Sequence, residues 1–294
     1  PFRRRHRRDR QIAWVPATVF AAMRAPERTG LYMMMMLAGE TATLGAFLAQ
    51  DLLLFVLFFD LMIVPFYFLF GIWGEERDGV SVNSATMKMI VYTLIGSLLM
   101  LVGAIAIAVI SADGGPITFS MAELTVKGLP SASQNWIFWF FAAAFLVRTP
   151  ASPLHAWVQD ASRAAPLPAL AVFSAVLSKV GAYGFLRVVL PILPDATQLF
   201  QTTLLILAVA SIIYGSVMAF TKTDLRLIVA YSAIAQLVFI TAGMFSLDST
   251  GANGALLQMV NHGLVVVPAF LIVALIRERT GTEDASKMGG LAKN

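Results

Sequence analysis

Apolar runs of about 20 residues recur along most of this sequence, and they constrain its fold more than any other feature. A run of that length matches the hydrocarbon thickness of a bilayer, whereas a soluble core needs no such run. The composition agrees, since 58% of the 294 residues are hydrophobic and 13% are charged, against roughly 25% charged in soluble domains. The sequence therefore predicts a polytopic membrane protein and excludes a soluble enzyme.

A scan with windows of about 19 residues predicts eight membrane spans, of which the fourth is the shortest. They lie at 31–50, 52–73, 87–111, 136–150, 167–190, 199–221, 225–246 and 254–276. This division predicts three regions: a basic N-terminal segment at 1–30, a membrane domain at 31–276, and a connecting segment at 277–294.

Positive charges divide unequally between the two sides of such a bundle. If the spans alternate, 18 of the 21 lysines and arginines fall on the side of the N-terminus, Lys127 and Arg187 fall on the other side, and Lys179 lies inside a span. Because positively charged loops stay in the cytoplasm, we expect the N-terminus there. The arginine-rich residues 1–10 then meet anionic lipid headgroups, and no nucleic-acid partner is expected.

The sequence contains no cysteine. Disulfides, thiolate zinc sites and cysteine-held iron–sulfur clusters are therefore excluded in this chain, and redox cofactors are expected in partner subunits. Residue 1 is proline rather than methionine, and no secretory signal follows the basic stretch. We expect the sequence to be part of a longer chain.

Four ionisable residues lie eight to twelve residues inside their spans, near the middle of the membrane. They are Glu40, Asp60, Lys179 and His262. Ionisable groups are costly at this depth, so they are candidate functional residues. The acids and the lysine are expected either to exchange protons as an ion pair forms and breaks, or to form a static pair that fixes helix packing.

The surroundings of Lys179 and His262 leave two interpretations open for each. Gly181 and Gly184 follow Lys179, and they indicate either an interrupted helix of the kind that lines a wet cavity, or close packing of helix backbones. His262 lies on a polar stripe with Gln258, where it either passes protons or packs as a buried side chain.

Five segments resemble, in order, the motifs of the M-type antiporter-like membrane subunit of respiratory complex I. They read DLLLFVLFFDLMIVPFYFLFGIWG (51–74), RTPASPLHAWVQDA (148–161), LSKVGAYGFLR (177–187), TDLRLIVAYS (223–232) and QMVNHG (258–263), followed by ERTGT (278–282) and GGL (289–291). The resemblance implies two inverted helical repeats, each with a broken helix and a buried charged axis that carries protons. Full members are longer, so this chain would cover the first repeat and the start of the second.

By position, the resemblance carries roles onto particular residues. Asp60 stands where the family has a buried glutamate, and Lys179 matches its broken-helix lysine. Arg226 and Arg148 stand at lysine positions, and Gln236 at a frequent histidine position. Because arginine holds its proton at working pH, Arg226 is expected to set the field around Lys179 rather than to relay protons.

The sequence is thus interpreted as a non-redox subunit of a proton-pumping NADH:quinone oxidoreductase in a bacterial inner membrane. Flavin, iron–sulfur clusters and quinone are expected in partner subunits, and no metal or cofactor in this chain. The residues predicted to take part in proton translocation are Asp60, Lys179, Glu40, Arg226 and His262. Two alternatives stay open: a subunit of a sodium/proton antiporter or membrane-bound hydrogenase, and a structural spacer with an inactive channel.

Overall fold

The computed structural model describes residues 14–24 and 26–289, which form an all-helical bundle. Helix α1 covers residues 14–24. The other helices are α2 (Thr29–Leu48), α3 (Leu52–Leu61), α4 (Ile63–Trp73), α5 (Val82–Ala112), α6 (Met121–Lys127), α7 (Ser131–Arg148), α8 (Ala156–Ala164), α9 (Leu167–Val172), α10 (Ser178–Gly184), α11 (Leu190–Ile192), α12 (Pro194–Thr221), α13 (Leu225–Phe245) and α14 (Ser249–Thr280). The predicted all-α membrane bundle is confirmed.

Seven helical rods in the described part of the chain are long and apolar enough to cross a membrane, rather than the predicted eight. They are Thr29–Leu48, Leu52–Trp73, Val82–Ala112, Leu167–Ile192, Pro194–Thr221, Leu225–Phe245 and Ser249–Thr280. The exception is the fourth predicted span, which corresponds to α7. This helix has 18 residues, but Gln134, Asn135 and Arg148 make it more polar than the others.

Two of the crossing helices begin earlier than their apolar runs because polar residues cap them. The Ser81 hydroxyl accepts a hydrogen bond from the Ser84 N–H (3.2 Å), and the Asp248 carboxylate accepts one from the Gly251 N–H (2.8 Å). Each cap satisfies an N–H group that the helix itself leaves unpaired. As a result α5 and α14 reach 31 and 32 residues, longer than the roughly 20 that a crossing needs.

The loops gather on two opposite faces of the bundle. Face A is formed by residues 74–81, 160–166, 222–224 and 277–289. Two contacts hold these loops together: the Glu75 N–H donates to the Ala164 carbonyl (2.9 Å), and Arg77 forms an ion pair with Asp224 (2.8 Å).

Face B is formed by residues 49–51, 113–130, 193–195 and 246–248. There the Leu52 N–H donates to the Phe119 carbonyl (2.8 Å), and the Asp195 N–H donates to the Gln134 side-chain oxygen (3.0 Å). The chain leaves face B at α7 and reaches face A at the end of α8, so these two helices together make the fourth crossing.

Residues 14–24 lie within the segment 1–30 that was expected to be a basic cytoplasmic extension. In the structure they form α1, whose Trp14 is buried and stacks edge-on against Phe66 of α4. The arginine-rich residues 1–10, and the expected motif and connection residues 290–294, lie outside the described residues.

The rod from Leu167 to Ile192 changes its winding twice. Two π-helical turns, Phe173–Leu177 and Phe185–Val189, flank α10. Gly181 and Gly184 lie between these turns and pack tightly against α7, where a Cβ on Gly181 would come 2.7 Å from the Phe145 carbonyl oxygen. The glycines therefore serve close packing, and the irregular winding lies on either side of them. Single π-helical turns are frequent at functional sites.

Candidate functional site

Lys179 is held inside the bundle between the two π-helical turns. Lys179 is 9% exposed, and its side chain extends toward α14. The ammonium nitrogen lies 2.6 Å from the point where a Cβ would stand on Gly263. The two segments that the sequence singled out, around Lys179 and around His262, are thus brought into direct contact.

His262 is fully buried beside Lys179, and the ammonium acts on it electrostatically. Its Nε2 lies 3.3 Å from the backbone oxygen of Ala233 on α13. A carbonyl accepts and does not donate, so this contact assigns the proton of the neutral ring to Nε2 and leaves Nδ1 as an acceptor. Among the described residues, Nδ1 has no hydrogen-bond partner. A buried acceptor of this kind is available to a proton or a water molecule.

Asp60 lies near Arg148, and the two charges interact without forming a direct ion pair. The Arg148 guanidinium donates from Nη2 to the Phe59 backbone oxygen (3.0 Å) and lies 4.6 Å from the centre of the Phe59 ring. Each charge acts on the other. Asp60 Oδ1 and Arg148 Nε nevertheless both lack a partner in the part of the chain that is described. Buried polar atoms require partners, so this gap between the charges is suited to water.

The position of Arg148 corrects the charge count made from the sequence. That count placed Arg148 with the loops of face A, but the residue is 1% exposed and lies inside the bundle at the depth of Phe59. The reason is that α7 ends at Arg148, before the chain reaches face A. Without Arg148, positive charges are still more numerous on face A than on face B.

Glu40 shares the depth of Asp60 on the neighbouring helix. It lies nine residues before Ala49 and Asp60 lies nine residues after Asp51, which places both about 13 Å from face B. Glu40 is half-buried, and no hydrogen bond or ion pair joins it to another described residue. The contacts do not join it to Lys179 or His262.

Arg226 lies on face A, where it is bound by a carboxylate and by backbone carbonyls. Its Nε and Nη2 donate to the two carboxylate oxygens of Glu283 (both 2.9 Å), and its Nη1 donates to the carbonyls of Arg163 and Ala165 (both 2.9 Å). Arg226 precedes Ala233, the partner of His262, by two turns of α13, or about 10 Å. Because the positive charge of Arg226 is already paired with Glu283, we expect it to act only weakly on Lys179.

Glu283 is a residue that the sequence analysis did not single out. Its side chain is 1% exposed and also accepts from Arg77 (2.7 Å) and lies 3.5 Å from Arg277. Three arginines from three separate segments therefore meet on one buried carboxylate. Two backbone hydrogen bonds fix its segment to α13, from the Leu225 N–H to the Glu283 oxygen and from the Ala285 N–H to the Thr223 oxygen.

Comparison with known proteins places these residues in a known family. A family model described as "NADH:quinone oxidoreductase/Mrp antiporter, TM" matches residues 49–294. Over 276 residues, 94% of this chain, the sequence is 38% identical to NAD(P)H-quinone oxidoreductase chain 4 2 of Thermosynechococcus vestitus, and covers 50% of that protein. NADH-quinone oxidoreductase subunit M of Rickettsia typhi is 38% identical over 89% of this chain and 51% of its own length.

A solved structure gives the same result. A chain of respiratory complex I from Thermus thermophilus matches 96% of this chain with a TM-score of 0.86 and 30% identity, and 58% of that chain is covered. The present chain spans about half the length of the curated relatives that it matches.

Proposed function

Since the chain belongs to the NADH:quinone oxidoreductase/Mrp antiporter transmembrane family and has M-type (chain 4) subunits among its relatives, we propose that it translocates protons in the membrane arm of an NADH:quinone oxidoreductase. Quinone reduction in other subunits would drive the transfer. The protein itself is a multi-pass membrane protein.

The observation that carries the proposal is the contact between Lys179 and the His262–Gly263 pair. Lys179 releases one proton from its ammonium, and His262 Nδ1 accepts it. The products are a neutral amine and an imidazolium whose Nε2–H remains on the Ala233 oxygen. Nδ1 shares no hydrogen bond with the ammonium in this structure, so the proton passes when the Lys179 side chain moves closer or through a bridging water molecule. The ring itself is already oriented by Ala233.

Asp60 and Arg148 act on this step through charge. Arg148 keeps its proton, so it is a permanent positive neighbour for Asp60. When Asp60 is held by Arg148, Lys179 has less negative charge to retain its own proton. When Asp60 turns toward Lys179, the ammonium is stabilised and the proton is retained. Glu40, at the depth of Asp60 on α2, is proposed as a further proton-carrying acid on the same side of the bundle.

The remaining features of the proposal concern the rest of the complex. Residues 31–276 carry the translocation, and 277–294 connect to the second half of the longer chain. Flavin, iron–sulfur clusters and quinone are proposed to lie in partner subunits, and the lack of cysteine excludes cysteine-held clusters from this chain. Face A is proposed to lie on the cytoplasmic side of a bacterial inner membrane, because positively charged loops favour that side.

The test is Lys179→Ala in the complete complex, reconstituted in liposomes, with proton uptake measured against NADH oxidation. Pumping through this subunit should be lost while assembly is retained. A normal proton-to-electron ratio in this variant would contradict the proposal and favour a spacer with an inactive channel. Transport that follows sodium instead of protons would favour the antiporter alternative.

A further inference from the structure

Gly263 has a specific relation to the Lys179 side chain. We infer that it is a positioning residue that makes room for the Lys179 ammonium directly beside His262, and this inference rests on the proposed function. A Cβ on Gly263 would stand 2.6 Å from the ammonium nitrogen, a distance below the 3.0 Å that real Cβ atoms essentially never show. The next nearest atom, the Ala175 carbonyl oxygen, is at 3.8 Å. The space left by the missing side chain is therefore occupied by the ammonium.

Helix stability does not explain a glycine at this place. Gly263 lies inside α14, where glycine weakens a helix relative to alanine. Backbone packing does not explain it either, because no atom of a neighbouring backbone comes closer than the Ala175 oxygen. Gly181 provides the contrast, since a Cβ there would come 2.7 Å from the Phe145 backbone oxygen and would force two helices apart.

An alanine at 263 should therefore move one group, the tip of a flexible side chain. Ordinary contact begins at 3.4 Å, so the ammonium must withdraw from α14 by about 0.8 Å or more. The Lys179 ammonium, which is the proposed proton donor, would then lie farther from Gly263, the residue next to His262. A misplacement of about 1 Å costs up to about a hundredfold in rate in positioned reactions, which is large for the gain of one methyl group.

The experiment compares Gly263→Ala with Gly254→Ala in the complete complex. Gly254 lies on the same helix and has no atom within 4 Å of its Cβ position, so it carries the same change without the contact. Gly263→Ala should lower the proton-pumping rate about tenfold or more and should shift the midpoint of its pH profile. Gly254→Ala should leave the rate and the pH profile close to those of the unmodified complex. Equal behaviour of the two variants would overturn the inference.

Two further variants separate the possible failures. If Lys179→Ala itself pumps normally, the proposed function is wrong. If Lys179→Ala is inactive while Gly263→Ala pumps normally, the inference about Gly263 alone is wrong.

The double variant Lys179→Ala/Gly263→Ala covers the case in which Gly263→Ala does not assemble. Assembly of the double variant would show that the ammonium causes the clash and would support the inference. If the double variant also fails to assemble, Gly263 is needed for another contact and the inference falls.

Discussion

Replacing Glu283 by glutamine should detach the segment 281–289 from the rest of face A. Glu283 accepts both donors of the Arg226 fork and one donor of Arg77. Glutamine keeps the shape of the side chain but removes its charge, and it can offer one oxygen where the carboxylate offers two. Arg226 is 2% exposed, so it would be left as a buried cation without an anion.

The expected magnitude follows from how deeply each partner is buried. Removing one partner of a fully buried ion pair costs about 3–5 kcal/mol. Arg77 and Arg277 are partly exposed, with 22% and 38% of their side chains accessible, and each should add at most about 1 kcal/mol. Glu278→Gln is the matched control, because Glu278 pairs with Arg24 at 43% and 35% exposure and an exposed ion pair adds little to stability.

Hydrogen exchange at two amides measures the effect directly. The Leu225 N–H donates to the backbone oxygen of Glu283, and the Ala285 N–H donates to the backbone oxygen of Thr223. Both amides are therefore protected from exchange while the segment 281–289 is attached. A loss of about 3 kcal/mol corresponds to roughly a hundredfold faster exchange through local opening. The control should exchange at close to the rate of the unmodified protein. Exchange in Glu283→Gln that is no faster than in Glu278→Gln would refute the idea that the three arginines depend on this carboxylate.

Two further predictions concern the proton route and the sidedness of the bundle. His262→Ala should reduce pumping much more than Gln236→Ala, because the Gln236 amide is bonded to Ser232 (3.1 Å) and is not the acceptor beside Lys179; comparable losses in vesicle pumping assays would place the route along α13. Single cysteines at 76 on face A and at 127 on face B should be labelled by an impermeant thiol reagent from opposite sides of the membrane, with 76 reached from the cytoplasm, and labelling of both from one side would contradict the proposed orientation.

The crossings could be predicted from the sequence because a bilayer demands a minimum apolar length, and that length is visible in one dimension. The helix α7 was the weakest prediction for the same reason, since its polar ends shorten the apolar run. Arg148 was misplaced because a sequence does not distinguish an arginine in a loop from one that bonds to a buried carbonyl and an aromatic ring. Inside the bundle the Arg148 guanidinium is bound by the backbone oxygen and the ring of Phe59, a residue distant in sequence.

The sequence predicts the depth of the site residues in the membrane, but it does not predict which of them are in contact. Lys179 and His262 are both identifiable from the sequence as ionisable groups near the membrane centre. Their meeting depends on the packing of α14 against α9 and the first π-helical turn, which lets the Lys179 side chain reach Gly263. Arg226 shows the opposite case, because its family position suggested a relay while a local signal pointed elsewhere. Asp224 caps α13 by accepting from the Arg226 N–H (2.8 Å), so Arg226 had to lie in the first turn, at the loop face.

The contact between α7 and α10 restricts how this protein can evolve. A side chain at 181 would have to push the Phe145 backbone away, and Phe145 lies one helical turn before Arg148. A lineage that enlarged this residue would therefore also move the counter-charge of Asp60. The packing of two helices and the spacing of the charges within the membrane are inherited together, so drift in this region should be confined to the positions of α7 and α10 that face away from the contact.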